Sequence, residues 1–260
     1  MDAWATGYLR TWQSDFADEP DAEIAFHFIE SVLYELRRLS QEGPANREAI
    51  HETVSNSIIA AMTSLPDPEI GVEDIQGVLF EAAISSPSDP FSLANITRQL
   101  IDNLPAPWNE ELEKGIAFNT RERWNGPDKP AAGTGTTKYI GKWVSLNSFA
   151  AHLTALNASL GHYGVWTLNR AFSPNTGGYR EDERLYHVPA AAAWIDILGG
   201  EIYRWSVQGD IPGEKWEQWK RGFEAVSQSS EAFEPGAREK AQIAFNRMRE
   251  MEKPSGGEIQ

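Results

Sequence analysis

Residues 143–157 read WVSLNSFAAHLTALN, and their spacing decides the fold class. Leu146, Phe149, Leu153 and Leu156 recur at steps of three and four, the period of a helix turning about 100° per residue. On that projection they form one apolar stripe, with Asn157 near its middle and Asn147 and His152 flanking it on opposite sides. A strand would alternate apolar and polar positions, and this stretch does not. It predicts a helix with one buried face.

The same period continues downstream through Gly164 to Phe172, Val188 to Trp205, Gly213 to Val226 and Ala237 to Glu250. Upstream, Pro20-Asp21 opens a run through Ile24, Phe28, Val32, Leu36 and Leu39 that closes at Gly43-Pro44. Arg37 and Arg38 lie in its last turns, where cations suit the helix dipole. Asn46 fits the N-cap of a further helix through Ile50, Val54, Ile58 and Met62, which ends before Pro66. Val72 to Ile84, Pro90 to Asn103, and a segment from Pro107 to Asn125-Gly126-Pro127 complete the set. The predicted fold is all-α, a multi-helix bundle of about ten helices in a single compact assembly with hairpin-like stacking. No fixed repeat period is present, which argues against a true solenoid.

Residues 126–137 (GPDKPAAGTGTT) are the one clear low-complexity break. They divide an N-terminal helical half, 1–125, from a Trp-rich C-terminal half, 138–252, within one domain. The break reads as an internal flexible loop, with a lid as the alternative. Residues 253–260 read as a frayed tail.

Composition removes several functions. The chain has no cysteine, which takes away disulfides, thiolate catalysis and Cys-ligated zinc together. A net charge of −15 repels nucleic acid, whose phosphates supply most of such affinity, and disfavours anionic membranes. The longest run without a charged or strongly polar side chain, Val188 to Ile195, is far too short to span a bilayer. Met1-Asp2-Ala3-Trp4 lacks the basic and apolar regions of a secretory signal. The expectation is a soluble, cytoplasmic protein with no membrane and no nucleic-acid partner.

Motifs for familiar chemistry are missing. No G-x-S-x-G elbow occurs, and Gly133-Thr-Gly135-Thr-Thr lacks both the lysine and the spacing of a phosphate loop. His51-Glu52 begins like a zinc-protease motif, but Ser55 stands where the second histidine belongs. His27, His152, His162 and His187 show no i, i+4 pairing, so no metal is expected. Asp15-x-x-Asp18-Glu19 is the nearest approach to a magnesium-binding carboxylate motif. Pro20 makes it a poor platform, and no second motif matches it.

What remains is aromatic. The chain holds 10 tryptophans, eight of them between Trp108 and Trp219. An indole brings a large apolar body and one donor that needs a partner when buried. Trp143, Trp166, Trp194, Trp205, Trp216 and Trp219 are therefore either core or the walls of a cavity. Trp194, Leu198 and Trp205 share one face of their helix, with Asp196 and Tyr203 on the other. Gly199-Gly200 within it implies close helix approach, a kink, or space for a ligand. Trp166, Asn169 and Arg170 make another mixed patch, and arginine there either stacks and donates or reaches to water.

Four pieces carry a family resemblance: Trp143-x-x-Leu146-Asn147-x-Phe149-Ala150-x-x-Leu153; Ala190 to Trp194 with Gly199 and Ile202-Tyr203; Trp216-x-x-Trp219-Lys220-x-x-Phe223; and Ala241 to Met248. From Lys142 onward the chain resembles DUF3632, a family of helical fungal proteins of unknown function. The resemblance implies an all-α fold and, through members near secondary-metabolite gene clusters, cofactor-free cyclase or isomerase work. It supplies no catalytic residues.

Two functions follow as expectations. One is a cofactor-independent enzyme on an apolar small molecule, a cyclase, pericyclase or isomerase. The six tryptophans would be its walls, with His152, Arg170 and Tyr203 as donors and Asn157 and Asp196 as supporting polar groups. The other is a non-catalytic interaction, scaffold or ligand-binding protein. An aromatic cavity favours the first; a solid core with an exposed apolar patch favours the second.

Overall fold

The computed structural model describes residues 3–39, 47–85, 89–124, 137–173, 183–229 and 233–253, and every regular element of any length among them is an α-helix. Eleven are present: α1 (Ala3–Phe16), α2 (Ala22–Leu39), α3 (Arg47–Thr63), α4 (Pro68–Ser85), α5 (Pro90–Asn103), α6 (Trp108–Arg123), α7 (Thr137–Ala155), α8 (Gly161–Phe172), α9 (Arg184–Gln208), α10 (Gly213–Gln228) and α11 (Pro235–Met251). Helix α1 is an addition to the sequence-predicted set; it turns Ala5, Leu9 and Trp12 inward. Gly43-Pro44, the Asn46 cap, residues 126–136 of the break and residues 254–260 of the tail lie outside the described residues. No described helix is long and apolar enough to cross a membrane.

The chain forms two compact units, Met1–Gly126 and Pro127–Gln260. In the first, α4 packs against each of the other five helices. Its sequence explains that position. Val72, Ile75, Val78, Leu79, Phe80, Ala82 and Ala83 are all buried, and a helix apolar on most sides belongs in the interior. The start of α5 is fixed by Asp89, whose side chain accepts from the Phe91 amide at 3.2 Å with Pro90 in the first helical position.

In the second unit the central element is α9, which packs against α7, α8, α10 and α11. Tyr186 to Ala192, Trp194, Ile195, Leu198, Gly199 and Ile202 are buried along it. Two glycines set how closely its neighbours come. A Cβ on Gly164 would lie 2.6 Å from the Trp194 ring, and one on Gly199 would lie 2.7 Å from the Met251 side chain. Gly199 therefore serves helix packing; Gly200 faces open space.

The stripe on α7 is buried at Leu146, Phe149 and Leu153. It stops there. The helix ends at Ala155, the Ala158 amide donates to the Leu153 carbonyl at 3.0 Å, and the Asn157 amide donates to the Thr154 carbonyl at 3.1 Å. These are the two bonds of a Schellman closure. Asn157 takes the left-handed position it requires, with φ 72°. The projection that set Asn157 inside the apolar stripe is corrected accordingly: the residue is exposed and terminates the helix.

Candidate functional site

Asn147 is 0% exposed and joins three helices. Its Nδ2 donates to the Trp143 carbonyl one turn back, at 2.9 Å. Its Oδ1 accepts from Thr167 Oγ1 on α8 at 3.0 Å and from Trp194 Nε1 on α9 at 2.8 Å. A buried amide costs stability unless its hydrogen bonds are made, and here both ends of the group are used.

Beside this junction, the last turns of α8 meet the first turns of α9. His187 is buried between two indoles, edge-on to Trp143 at 5.6 Å and 87° and to Trp166 at 5.4 Å and 76°. Arg170 follows Trp166 by one turn, so the two share a face. Its guanidinium lies over the Trp166 ring, 4.9 Å from the centroid, the geometry of a cation–π contact. Glu183 stands across from it, with Oε2 at 4.0 Å from Arg170 Nη1. That distance suits an ion pair but is too long for a hydrogen bond. Nη1 is buried and has no hydrogen-bond acceptor among the described residues.

The cluster thus holds an arginine donor with an unused N–H, an aromatic face, a buried imidazole and a carboxylate. Such a set suits a ligand with an apolar body and one acceptor oxygen, a carbonyl or a carboxylate. Trp143, Trp166 and Arg170, singled out from the sequence, are brought together here.

The remaining candidates are placed elsewhere. Trp194, Trp216 and Trp219 are core residues with their donors satisfied, by Asn147, by Glu252 at 2.7 Å and by Asn169 at 3.3 Å. Burial would raise the Glu252 carboxyl, but the hydrogen bonds from Lys220 and Trp216 and the Lys220 charge hold it below the usual range. Trp205 is half-buried and closes on Gly161, where a Cβ would lie 2.6 Å from its ring. Tyr203 packs on Trp216, with centroids 5.0 Å apart, in a cluster separate from Arg170.

Asp196 belongs to the surface. Its side chain is 50% exposed and pairs with Arg247 at 2.6 Å. His152 is half-buried in the last turn of α7. His51 is buried in α3, and Ser55 gives its hydroxyl to Gln99 at 2.7 Å. Among the described residues no group of three or more His, Asp or Glu is placed to hold a metal ion.

His187 and Glu183 were not singled out by sequence. One signal for His187 was present: it precedes Trp194 by seven positions, two turns along the same helix, and so shares its buried face. Glu183 offered no local signal, since its partner is reached only through the meeting of α8 and α9.

The family described as Protein of unknown function (DUF3632) matches residues 84–249, more than half of the chain. The match includes the whole Asn147 junction and the Trp166–Arg170–His187 cluster. No curated protein and no solved structure matches this chain.

Proposed function

This chain belongs to the DUF3632 family, and from that premise we propose that it is a cofactor-independent enzyme acting on an apolar small molecule of secondary metabolism. The reaction class is an isomerisation or a pericyclic cyclisation. The observation that carries this reading is the buried Nη1 of Arg170, a charged donor without a hydrogen-bond acceptor, on a guanidinium held flat against Trp166. An N–H in that state is oriented before any ligand arrives.

A substrate carbonyl placed on Nη1 gains most where negative charge builds on its oxygen, which is in the transition state. The Trp166 face supplies an apolar wall against which a flexible chain is held in a reactive conformer, an orientation effect. Trp143 and His187 fix the far side of that wall. Glu183 pairs with the arginine charge from 4.0 Å off Nη1, too far to take its hydrogen bond.

The test is incubation of native and heat-denatured protein with a lipophilic metabolite extract of the source organism, followed by chromatography with mass detection. The proposal expects one compound to disappear while another of identical mass appears, with native protein only. An extract containing the relevant intermediates that stays unchanged overturns it.

A second reading, a non-catalytic helical binding protein, draws on a different observation. Trp194, Trp216 and Trp219 have their indole N–H groups satisfied within the core, as in a structural framework. Under that reading the extract is depleted of a compound bound to the protein, and no isomer forms.

A further inference from the structure

The Met1–Gly126 unit contains a cleft of about 290 Å³ lined by α1, the turn after it, α2 and α4. Trp12 and Phe16, 5.4 Å apart, give it an aromatic side. Ala22, Ala25 and Ile70 add apolar surface, Glu19, Asp21, Glu73 and Asp74 give it carboxylates, and no lysine, arginine or histidine lines it.

The four carboxylates alone would make only an acidic edge. Asp74 differs from the others. Its Oδ1 accepts from Trp12 Nε1 at 3.2 Å, which fixes the carboxyl against the aromatic side. Its Oδ2 is buried and has no hydrogen-bond partner among the described residues. A buried carboxylate oxygen left without a donor is costly; Asp74 lines the cleft, and a donor bound against it there removes that cost.

We propose that this cleft binds a small organic ammonium ion, its N–H on Asp74 Oδ2 and its carbon skeleton against Trp12 and Phe16. The cleft asks for both features of such a ligand. Positive charge is attracted to the indole and phenyl faces and to the surrounding carboxylates. An N–H is needed because a quaternary ammonium, although attracted by the same faces, leaves Oδ2 without a donor.

Around Asp74 the charged and titratable neighbours are Glu73 on its own helix, Trp12-bonded α1 with Tyr8, and Glu19 and Asp21 in the following turn. Asp74, Glu81 and Arg123 in turn act on Tyr8. At pH 7.5 the Asp74 carboxyl, which burial pushes up to about 6, is mostly ionised and ready to accept the cation.

The experiment is calorimetric titration of the full chain at pH 7.5 with 2-phenylethylammonium, 2-phenylethanol and trimethyl(2-phenylethyl)ammonium. The expected result is saturable binding of the first, at least tenfold weaker binding of the other two, and at least tenfold weakening of the first by Asp74→Asn. Phe16, 46% exposed, can be changed without disturbing the core, and Phe16→Ala should weaken binding several-fold. The proposal is overturned if the alcohol binds as well as the amine, if both variants bind it like the parent chain, or if no saturable binding occurs.

Discussion

The indole Nε1 of Trp194 donates to Oδ1 of Asn147 at 2.8 Å, across 47 positions of sequence. With Thr167 donating to the same oxygen at 3.0 Å, this one acceptor serves α8 and α9 from α7. Replacing it strands two buried donors. Asn147→Leu should therefore destabilise the chain by roughly 2–6 kcal/mol, about 1–3 for each group left without a partner. Urea unfolding followed by tryptophan fluorescence measures this. Adding Trp194→Phe, which deletes one stranded donor, should cost less in the Asn147→Leu background than in the parent chain. Simple additivity would show that the bond carries no coupling.

Asn157 closes α7 in the left-handed region, at φ 72°. That region penalises a side chain with an ordinary Cβ by about 1–2 kcal/mol, asparagine less than most, and glycine not at all. Asn157→Ala should cost about 1 kcal/mol in unfolding free energy, and Asn157→Gly should be neutral or slightly stabilising. The reverse order would contradict the assigned closure.

The two central glycine sites should respond in opposite directions. Gly164→Ala places a Cβ 2.6 Å from a Trp194 ring that its hydrogen bond to Asn147 keeps from moving away. A loss of about 1–3 kcal/mol is expected, as for overpacking in a tight core. Gly200 lies mid-helix with nothing within 4 Å of an added Cβ, so Gly200→Ala should gain about 0.5–1 kcal/mol. Thermal unfolding of the two variants side by side checks both signs.

Asp74 predicts a pH dependence. Burial first, and the Glu73 charge with it, raise its carboxyl from 3.8 to about 6 against the opposing Trp12 hydrogen bond. The folded chain thus holds this proton more tightly than the unfolded chain. The corresponding stability is complete below about pH 4 and is lost as pH rises through about 6. Asp74→Asn, which cannot ionise, should exceed the parent chain by roughly 1–2 kcal/mol above pH 7, allowing for partial solvent screening, and by nothing near pH 4. Denaturation at the two pH values decides it; an equal difference at both would remove the ionisation account.

How far the sequence reached depends on whether a signal is local. The stripe Leu146, Phe149, Leu153, Leu156 is a repeat within one segment; its first three positions are buried as read, and Leu156, past the helix end at Ala155, is only half-buried. Asn157 was misplaced because the projection carried the helix two residues past its end at Ala155. The closing signal there is an asparagine in place of the commoner glycine. Asn147 reads as a flank on its own helix. Its burial comes from donors on two other helices, which no period within α7 reveals. Trp166 and Arg170 are visible as a pair one turn apart, but Glu183 and His187 reach them only when α9 packs on α8. Asp74 escaped notice for the same kind of reason: its surroundings are built largely by α1, an unassigned segment.

The most direct test of the functional account is the rate of isomer formation in the metabolite extract by the parent chain, Arg170→Lys and Arg170→Gln. Lysine keeps the charge but loses the flat guanidinium over Trp166, and glutamine loses both. The account predicts an isomerising activity in the parent chain that falls about 10²-fold or more in each variant, as when a transition-state donor is removed, with both variants still folded by circular dichroism. Isomer formation that proceeds at the parent rate in both variants, or that is absent from the parent chain, would contradict it.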